Sequence, residues 1–132
     1  MPEDQTPRQA TKQLRLTTFN VEGATGNAEY LKEIAKFSDV IFLQEHWYFK
    51  FEQQKLQEIL PDFRCAIISC DEYNPISAYQ RPRGLGGCAL LWHKDIDNLI
   101  NKLDEGSERI TCIELNTSDT PILFICCYMP SR

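Results

Sequence analysis

The sequence predicts an α/β fold in which two helices lie on the outside of one mixed β-sheet, as half of a two-sheet sandwich. Between Leu14 and Leu43, a strand-like stretch, an amphipathic helix and a wholly apolar strand follow one another. That order is typical of a βαβ unit. The chain has 132 residues, of which 42% are hydrophobic and 25% are charged. Such values suit one folded domain rather than a disordered or low-complexity chain.

The first strand and the first helix are marked by two different periodicities. Residues Leu14–Asn20 place apolar side chains at alternate positions, which predicts a strand. Glu22–Gly26 then turns the chain with two glycines. Asn27 is a candidate N-cap, and apolar residues at helical spacing continue to Phe37. The short run Val40–Leu43 is wholly apolar and predicts a strand that is covered on both faces.

The rest of the chain predicts one more helix and four more strands. The helix spans Phe49–Leu60 and ends at Pro61. The strands are predicted at Phe63–Cys70, Gly87–Trp92, Arg109–Leu115 and Ile122–Tyr128. The last run is apolar on both faces, so it should be central in its sheet. Residues 71–85 predict a long loop, and residues 1–13 predict a disordered leader before a domain at 14–132.

Composition restricts the classes of function. The formal net charge of -5 argues against a protein that only coats nucleic-acid phosphates, but not against an enzyme that reaches phosphate through a metal ion. The six cysteines form no C-x-x-C pair, which predicts mostly buried free thiols rather than a zinc site. No secretory segment is recognisable, and the longest apolar run, Ile122–Met129, is far below the ~20 residues that span a bilayer. We therefore expect an intracellular protein, nuclear or cytoplasmic, with no membrane partner.

Three polar side chains close strands whose ends are expected to lie together. Asn20 closes the first strand, Glu45 follows the buried strand, and Tyr128 closes the last strand. Binding sites in α/β sheets collect at strand ends and in the loops after them. A carboxylate suits Mg²⁺, while an amide and a phenol suit phosphate oxygens. Taken singly, the three residues have simpler explanations as a turn residue, a solvated carboxylate and a core tyrosine with its hydroxyl in water.

Four stretches resemble the opening motifs of the endonuclease/exonuclease/phosphatase superfamily. They are, in order, Leu16–Asn20 (LTTFN), Val40–Glu45 (VIFLQE), Gly86–Trp92 (GGCALLW) and Cys127–Pro130 (CYMP). Their order and separations are also similar to the family pattern, over roughly Leu14 to Pro130. The Leu-Gln-Glu-His-Trp stretch, and the Arg-Pro before the Gly-Gly strand, look most like endonuclease domains of non-LTR retrotransposons. The implied fold is the N-terminal part of that family's sandwich.

The resemblance implies a chemical role for each strand-end residue. Glu45 would be the ligand of Mg²⁺ or Mn²⁺, Asn20 would orient Glu45 or the water shell of the metal, and Tyr128 would hydrogen-bond the scissile phosphate. In the family, an activated water attacks phosphorus while the metal stabilises the leaving oxyanion. Nucleic acid is the implied substrate. A sheet face left uncovered in a partial sandwich would also favour self-association.

The later motifs of the resembled family do not occur in this sequence. It contains no Asp-x-Asn, and the Ser-Asp pairs at Ser38 and Ser118 are not followed by histidine. Ser131 stands where the retrotransposon relatives often have asparagine. We therefore expect weak or no activity from this chain alone. Two alternatives stay open: a non-catalytic relic or interaction module that keeps the fold, and a phosphoesterase of the same superfamily with another substrate.

Two further groups of residues are weaker candidates. Arg81 and Arg83, with Tyr79, form a basic and aromatic cluster in the long loop that could contact a nucleic-acid backbone. A solvated loop explains the same residues. His46 and Trp47 directly follow Glu45. His46 could support a metal site or meet a phosphate, but it is also explained as a loop histidine, with Trp47 packed against the second helix.

Overall fold

The computed structural model describes residues 13–72 and 86–129. The predicted leader, most of the predicted long loop and the last three residues lie outside this part of the chain. Arg81 and Arg83 belong to that loop, so their predicted contact with nucleic acid also lies outside the described residues.

The described residues form seven strands and two short α-helices. The strands are β1 Leu16–Asn20, β2 Val40–Gln44, β3 Phe63–Ile68, β4 Cys88–His93, β5 Ile100–Lys102, β6 Ile110–Leu115 and β7 Ile122–Cys127. The α-helices are α1 Ala28–Ala35 and α2 Gln54–Ile59, with 3-10 helices at Lys50–Glu52 and Lys94–Leu99. These elements confirm the α/β class. The first predicted helix begins where predicted, after Asn27, but ends earlier than Phe37, at Ala35. The second is shorter than predicted at both ends, and the short strand β5 was not predicted.

The strands form the predicted mixed sheet and, in addition, a second sheet that was not predicted within this chain. The first sheet has the order β1-β2-β4-β3, in which β1 and β2 are parallel and the other pairs antiparallel. The second sheet, β5-β6-β7, is antiparallel. The strands that follow β4 do not pair with the edge strands of this sheet, β1 and β3. They pair with each other and stack on the face of the first sheet instead.

Two apolar layers hold this arrangement together. The layer between the sheets includes Val40, Leu90, Trp92, Ile113 and Phe124. The layer between the first sheet and the helices includes Leu31, Ile41, Leu43, Leu56 and Leu91. Strand β4 contributes to both layers because its residues Cys88–Trp92 are all buried. Packing on both faces of the first sheet therefore fixes the positions of its strand ends.

Asn27 occupies the predicted N-cap position of α1, but its side chain has another role. Its side chain makes no capping hydrogen bond. Instead its amide nitrogen donates to the carbonyl oxygens of Val21 at 2.9 Å and Gly23 at 3.1 Å. Asn27 thus ties down the loop between β1 and α1, directly beside the end of β1.

Strand β7 was predicted to be central, but among the described residues it lies at the edge of its sheet. Phe124 and Cys126 point toward the first sheet and are buried, whereas Leu123 is 54% exposed and Ile125 is 50% exposed. The face of β7 that carries Leu123 and Ile125 is apolar, and no other element of the described residues packs on it.

Among the described residues, no helix is both long and apolar enough to cross a membrane.

The cysteines are less uniformly buried than predicted. Cys88, Cys112 and Cys126 are buried, Cys65 and Cys70 are partly buried, and Cys127 on the edge strand is exposed. Burial raises the pKa of the Cys65 thiol to about 11, so it stays protonated at neutral pH. These thiols act mainly as small apolar core residues.

Candidate metal and phosphate site at the strand ends

Asn20 and Glu45 meet at the end of the parallel strand pair. In the register of β1 and β2, Asn20 lies opposite Gln44, the residue before Glu45. The carboxyl ends of parallel strands lie at the same edge of a sheet. The amide nitrogen of Asn20 donates to Oε2 of Glu45 at 2.8 Å. The predicted proximity of these two side chains is therefore confirmed.

Tyr128 reaches the same place from the second sheet rather than from a third strand of the first. It follows β7, and its backbone N–H donates to the carbonyl of Arg109 at 3.0 Å. Its ring lies against Gly86, where an added Cβ would come within 3.2 Å of it. Desolvation first, and then the negative charge of Glu45, raise the pKa of Tyr128. The phenol therefore stays protonated, and a hydrogen-bond donor, at neutral pH.

Glu45 begins a turn of unusual backbone geometry, Glu45–Trp47. The φ angles are +61° at Glu45 and +65° at Trp47, in the left-handed region that non-glycine residues rarely occupy. Each such residue costs roughly 1–2 kcal/mol. Backbone hydrogen bonds impose the geometry: Glu45 N–H donates to Gly87 O at 2.7 Å, and Trp47 N–H donates to Gly86 O at 3.1 Å.

His46, at the centre of this turn, is a structural residue. It is fully buried. Its Nδ1 accepts a hydrogen bond from the backbone N–H of Tyr48 at 2.9 Å, so the proton resides on Nε2, which donates to Ile68 O at 2.8 Å. Burial lowers the pKa of His46 to about 4, which keeps the ring neutral. Both nitrogens are occupied, and His46 cannot meet a phosphate or a metal in this arrangement.

Trp47 has a contact that the sequence did not predict. Its indole N–H donates to Oε1 of Glu45 at 3.4 Å. The ring lies over Gly23, where an added Cβ would come within 2.7 Å of the indole carbon Cε3. The prediction that Trp47 packs against the second helix missed this role. The only sequence signal was the glycine in the loop after β1, which leaves room for the ring.

Glu45 is the candidate protein ligand for a divalent ion at these strand ends. The described residues contain no group of three or more His, Cys, Asp and Glu side chains that could hold a metal. The Glu45 carboxylate is partly exposed, and its donors Asn20 and Trp47 leave lone pairs available. Mg²⁺ is commonly held by one or two carboxylates, with waters and phosphate oxygens completing its shell. Glu45 therefore fits the role of the single carboxylate ligand in a Mg²⁺ site whose other ligands are waters and phosphate oxygens.

Comparisons with known proteins define the fold. No protein-family model matches the sequence, and no curated protein matches it. Among solved structures, the AP endonuclease LMAP from Leishmania major is similar with a TM-score of 0.59 and 16% identity, over 97% of this chain and 45% of that one. The endonuclease domain of TRAS1, a telomere-specific non-LTR retrotransposon, has a TM-score of 0.57 and 12% identity, over 89% of this chain and 46% of that one.

A third similar structure is the human Nocturnin catalytic domain with bound sulfate, with a TM-score of 0.51 and 15% identity, over 90% of this chain and 50% of that one. The chain thus spans half or less of the length of these structures. At such low identity the likeness shows the fold. The fold is a partial sandwich of the endonuclease/exonuclease/phosphatase type, as the resemblance in the sequence motifs implied.

Proposed function

We propose that the chain supplies the first part of a Mg²⁺-dependent phosphodiesterase site that acts on nucleic acid. The observation that carries the proposal is the Glu45 carboxylate, held by Asn20 at 2.8 Å with the phenol of Tyr128 beside it. Similar folds occur in an AP endonuclease, in a retrotransposon endonuclease domain and in a 3' phosphatase bound to a DNA hairpin. Those names support nucleic acid as the substrate class.

Each residue has a distinct part in the proposed chemistry. Glu45 would hold one position on the ion, and Asn20 would keep the carboxylate turned toward the open edge of the sheet. Tyr128 donates its hydroxyl proton to a non-bridging phosphate oxygen. When bound there, Mg²⁺ or Mn²⁺ would supply the positive charge that lowers the pKa of a water and stabilises a leaving oxyanion.

A non-catalytic interaction module is the second candidate function. The observation that favours it is that, within the described residues, Glu45 stands without the further carboxylates that a closed metal site needs. In that case the strand-end residues would be a remnant of a catalytic site, and the exposed apolar strand β7 would be the surface that binds a partner.

The proposal is tested by Mn²⁺ binding, followed by the electron paramagnetic resonance signal of the free ion. We expect weak binding by the wild-type chain and loss of that binding in Glu45→Gln, because the substitution removes the charged oxygen. Glu29→Gln is the matched control, since Glu29 lies in the first turn of α1 and pairs with Lys32. Binding that survives Glu45→Gln, or no binding by the wild type, would contradict a metal role for Glu45.

Self-association is a second expected property of the isolated chain. The segment Ile122–Cys127 carries no charge, and Ile122, Leu123 and Ile125 are each at least 45% exposed. An edge strand also leaves one row of backbone N–H and C=O groups unpaired. Two copies of β7 can pair antiparallel about a two-fold axis without like-charge repulsion.

We expect the purified chain to form dimers or larger species in sedimentation equilibrium, and Ile125→Lys to shift it toward monomer. Phe51→Lys is the control, because Phe51 is an exposed aromatic residue on the 3-10 helix Lys50–Glu52, outside β7. A wild-type chain that stays monomeric at every concentration would contradict the expectation. So would equal dissociation by both lysine variants.

A further inference from the structure

The Glu45 carboxylate is engaged on both of its oxygens. Asn20, at the end of β1, donates to Oε2 at 2.8 Å, and the indole N–H of Trp47 donates to Oε1 at 3.4 Å. A glutamate carboxylate otherwise rotates within a broad range of its last torsion. Two donors on different elements restrict that rotation. The longer indole contact leaves Oε1 with capacity for a cation.

The indole is itself held in place. The backbone N–H of Trp47 donates to Gly86 O at 3.1 Å, and the ring lies over Gly23 with no room for a Cβ there. Gly23 N–H in turn donates to Glu45 O at 2.8 Å. The loop after β1, the indole and the Glu45 backbone thus form one closed unit. Its formation requires two non-glycine residues in the left-handed region, at Glu45 and Trp47.

Such strain persists only where the surroundings impose it, and it concentrates at functional sites. We propose that Trp47 is a positioning residue, which fixes the orientation of the Glu45 carboxylate through its indole N–H. This inference rests on the proposed function of Glu45 as a metal ligand. Trp47 does not touch the ion. It limits the carboxylate to the rotamer in which the free lone pairs face the open edge of the sheet.

The first test uses the wild-type chain and its indole N–H proton resonances. The chain has two tryptophans, and Trp92 also donates its indole N–H to a carboxylate, Oδ1 of Asp97, at 2.8 Å. Trp92 is therefore a matched internal control. We expect Mg²⁺ to shift the Trp47 indole resonance and to leave that of Trp92 in place, and Glu45→Gln to abolish the shift. Trp47→Phe assigns the two signals.

The second test is Mn²⁺ binding by Trp47→Phe, which keeps an aromatic ring over Gly23 but removes the N–H donor. Partners that orient metal ligands typically contribute 10–100-fold in affinity, so we expect binding about tenfold weaker. Circular dichroism and the thermal midpoint check that the fold is unchanged.

The outcomes separate the two proposals. Wild-type binding that depends on Glu45 but is equally strong in Trp47→Phe overturns the positioning role alone. A Trp47 indole resonance that does not respond to Mg²⁺, while Glu45-dependent binding is present, does the same without any substitution at Trp47. No Glu45-dependent binding in the wild type overturns the proposed function, and the positioning role with it.

Discussion

Purified protein of this sequence is expected to leave supercoiled plasmid intact in the presence of Mg²⁺. Phosphodiester hydrolysis needs an attacking water, an electrophilic clamp and a stabilised leaving group. In the proposed site, Glu45 would supply one metal ligand and Tyr128 one hydrogen-bond donor to phosphate. His46 is the nearest imidazole, but it is buried and both of its ring nitrogens are hydrogen-bonded, so it cannot act as a base.

The size of the expected loss follows from the groups that the described residues do not supply, a positioned general base and a cationic partner for the developing charge. A general acid or base contributes about 10²–10⁴-fold, and a lost oxyanion donor costs about 10²–10³-fold. Their combined absence lowers turnover by roughly 10⁴-fold or more, below detection in a nicking assay.

The assay measures nicking by the chain with and without Mg²⁺. Where the reading frame continues downstream, it also compares the chain with a longer protein that includes the downstream sequence. Extension is expected to restore nicking if the extension carries Asp-x-Asn and Ser-Asp-His motifs, and Glu45→Ala should then abolish it. Robust Mg²⁺-dependent nicking by these 132 residues alone, lost in Glu45→Ala, would show that the strand-end residues suffice for turnover.

Gly87→Ala is expected to prevent stable folding. Gly87 has a φ of +85°, and a Cβ there would overlap the imidazole of His46. That ring cannot move aside, because it is fully buried and hydrogen-bonded on both nitrogens. Overpacking costs about 1–3 kcal/mol, the left-handed backbone about 1–2 kcal/mol, and broken hydrogen bonds to a buried group about 1–3 kcal/mol. The sum is a large part of the 5–15 kcal/mol that typically stabilises a domain.

Gly26→Ala is the matched control for this substitution. Gly26 lies in the loop before α1, and an added Cβ there would meet nothing within 4 Å. We expect its free energy of unfolding to change by no more than about 0.5 kcal/mol. Urea unfolding followed by circular dichroism compares the two variants with the wild type. Similar midpoints for Gly87→Ala and the wild type would mean that His46 can move, and that the Glu45–Trp47 turn is less rigid than its contacts imply.

Local patterns in the sequence were enough to predict the βαβ unit and the meeting of Asn20 with Glu45. Alternation predicts strands and a spacing of three or four predicts helices, because side chains repeat every 2.0 residues in one and every 3.6 in the other. Once β1, α1 and β2 were recognised, a parallel pair was the expected result. Its carboxyl ends, with their asparagine and glutamate, then had to lie at one edge.

The sequence could not predict which strands share a sheet. The apolar side chains on the outer face of β7 indicate that this face favours burial, but they do not indicate which element buries it. β7 pairs with the preceding strand β6 in a hairpin, with Leu115 opposite Ile122, and the second sheet stacks on the first instead of extending it. Tyr128 therefore reaches Glu45 across the space between two sheets.

The sequence by itself determined the fold class and the residue types at the strand ends, because these depend on periodicity and on local motifs. Only the tertiary structure decided that His46 is neutral and inaccessible and that Trp47 contacts Glu45. Nothing in a Glu-His-Trp sequence signals two left-handed residues, since non-glycine side chains adopt that geometry only where surrounding contacts impose it. Here the contacts come from Gly23, Gly86 and Gly87, which are distant in sequence and meet the turn only when the sheet has formed.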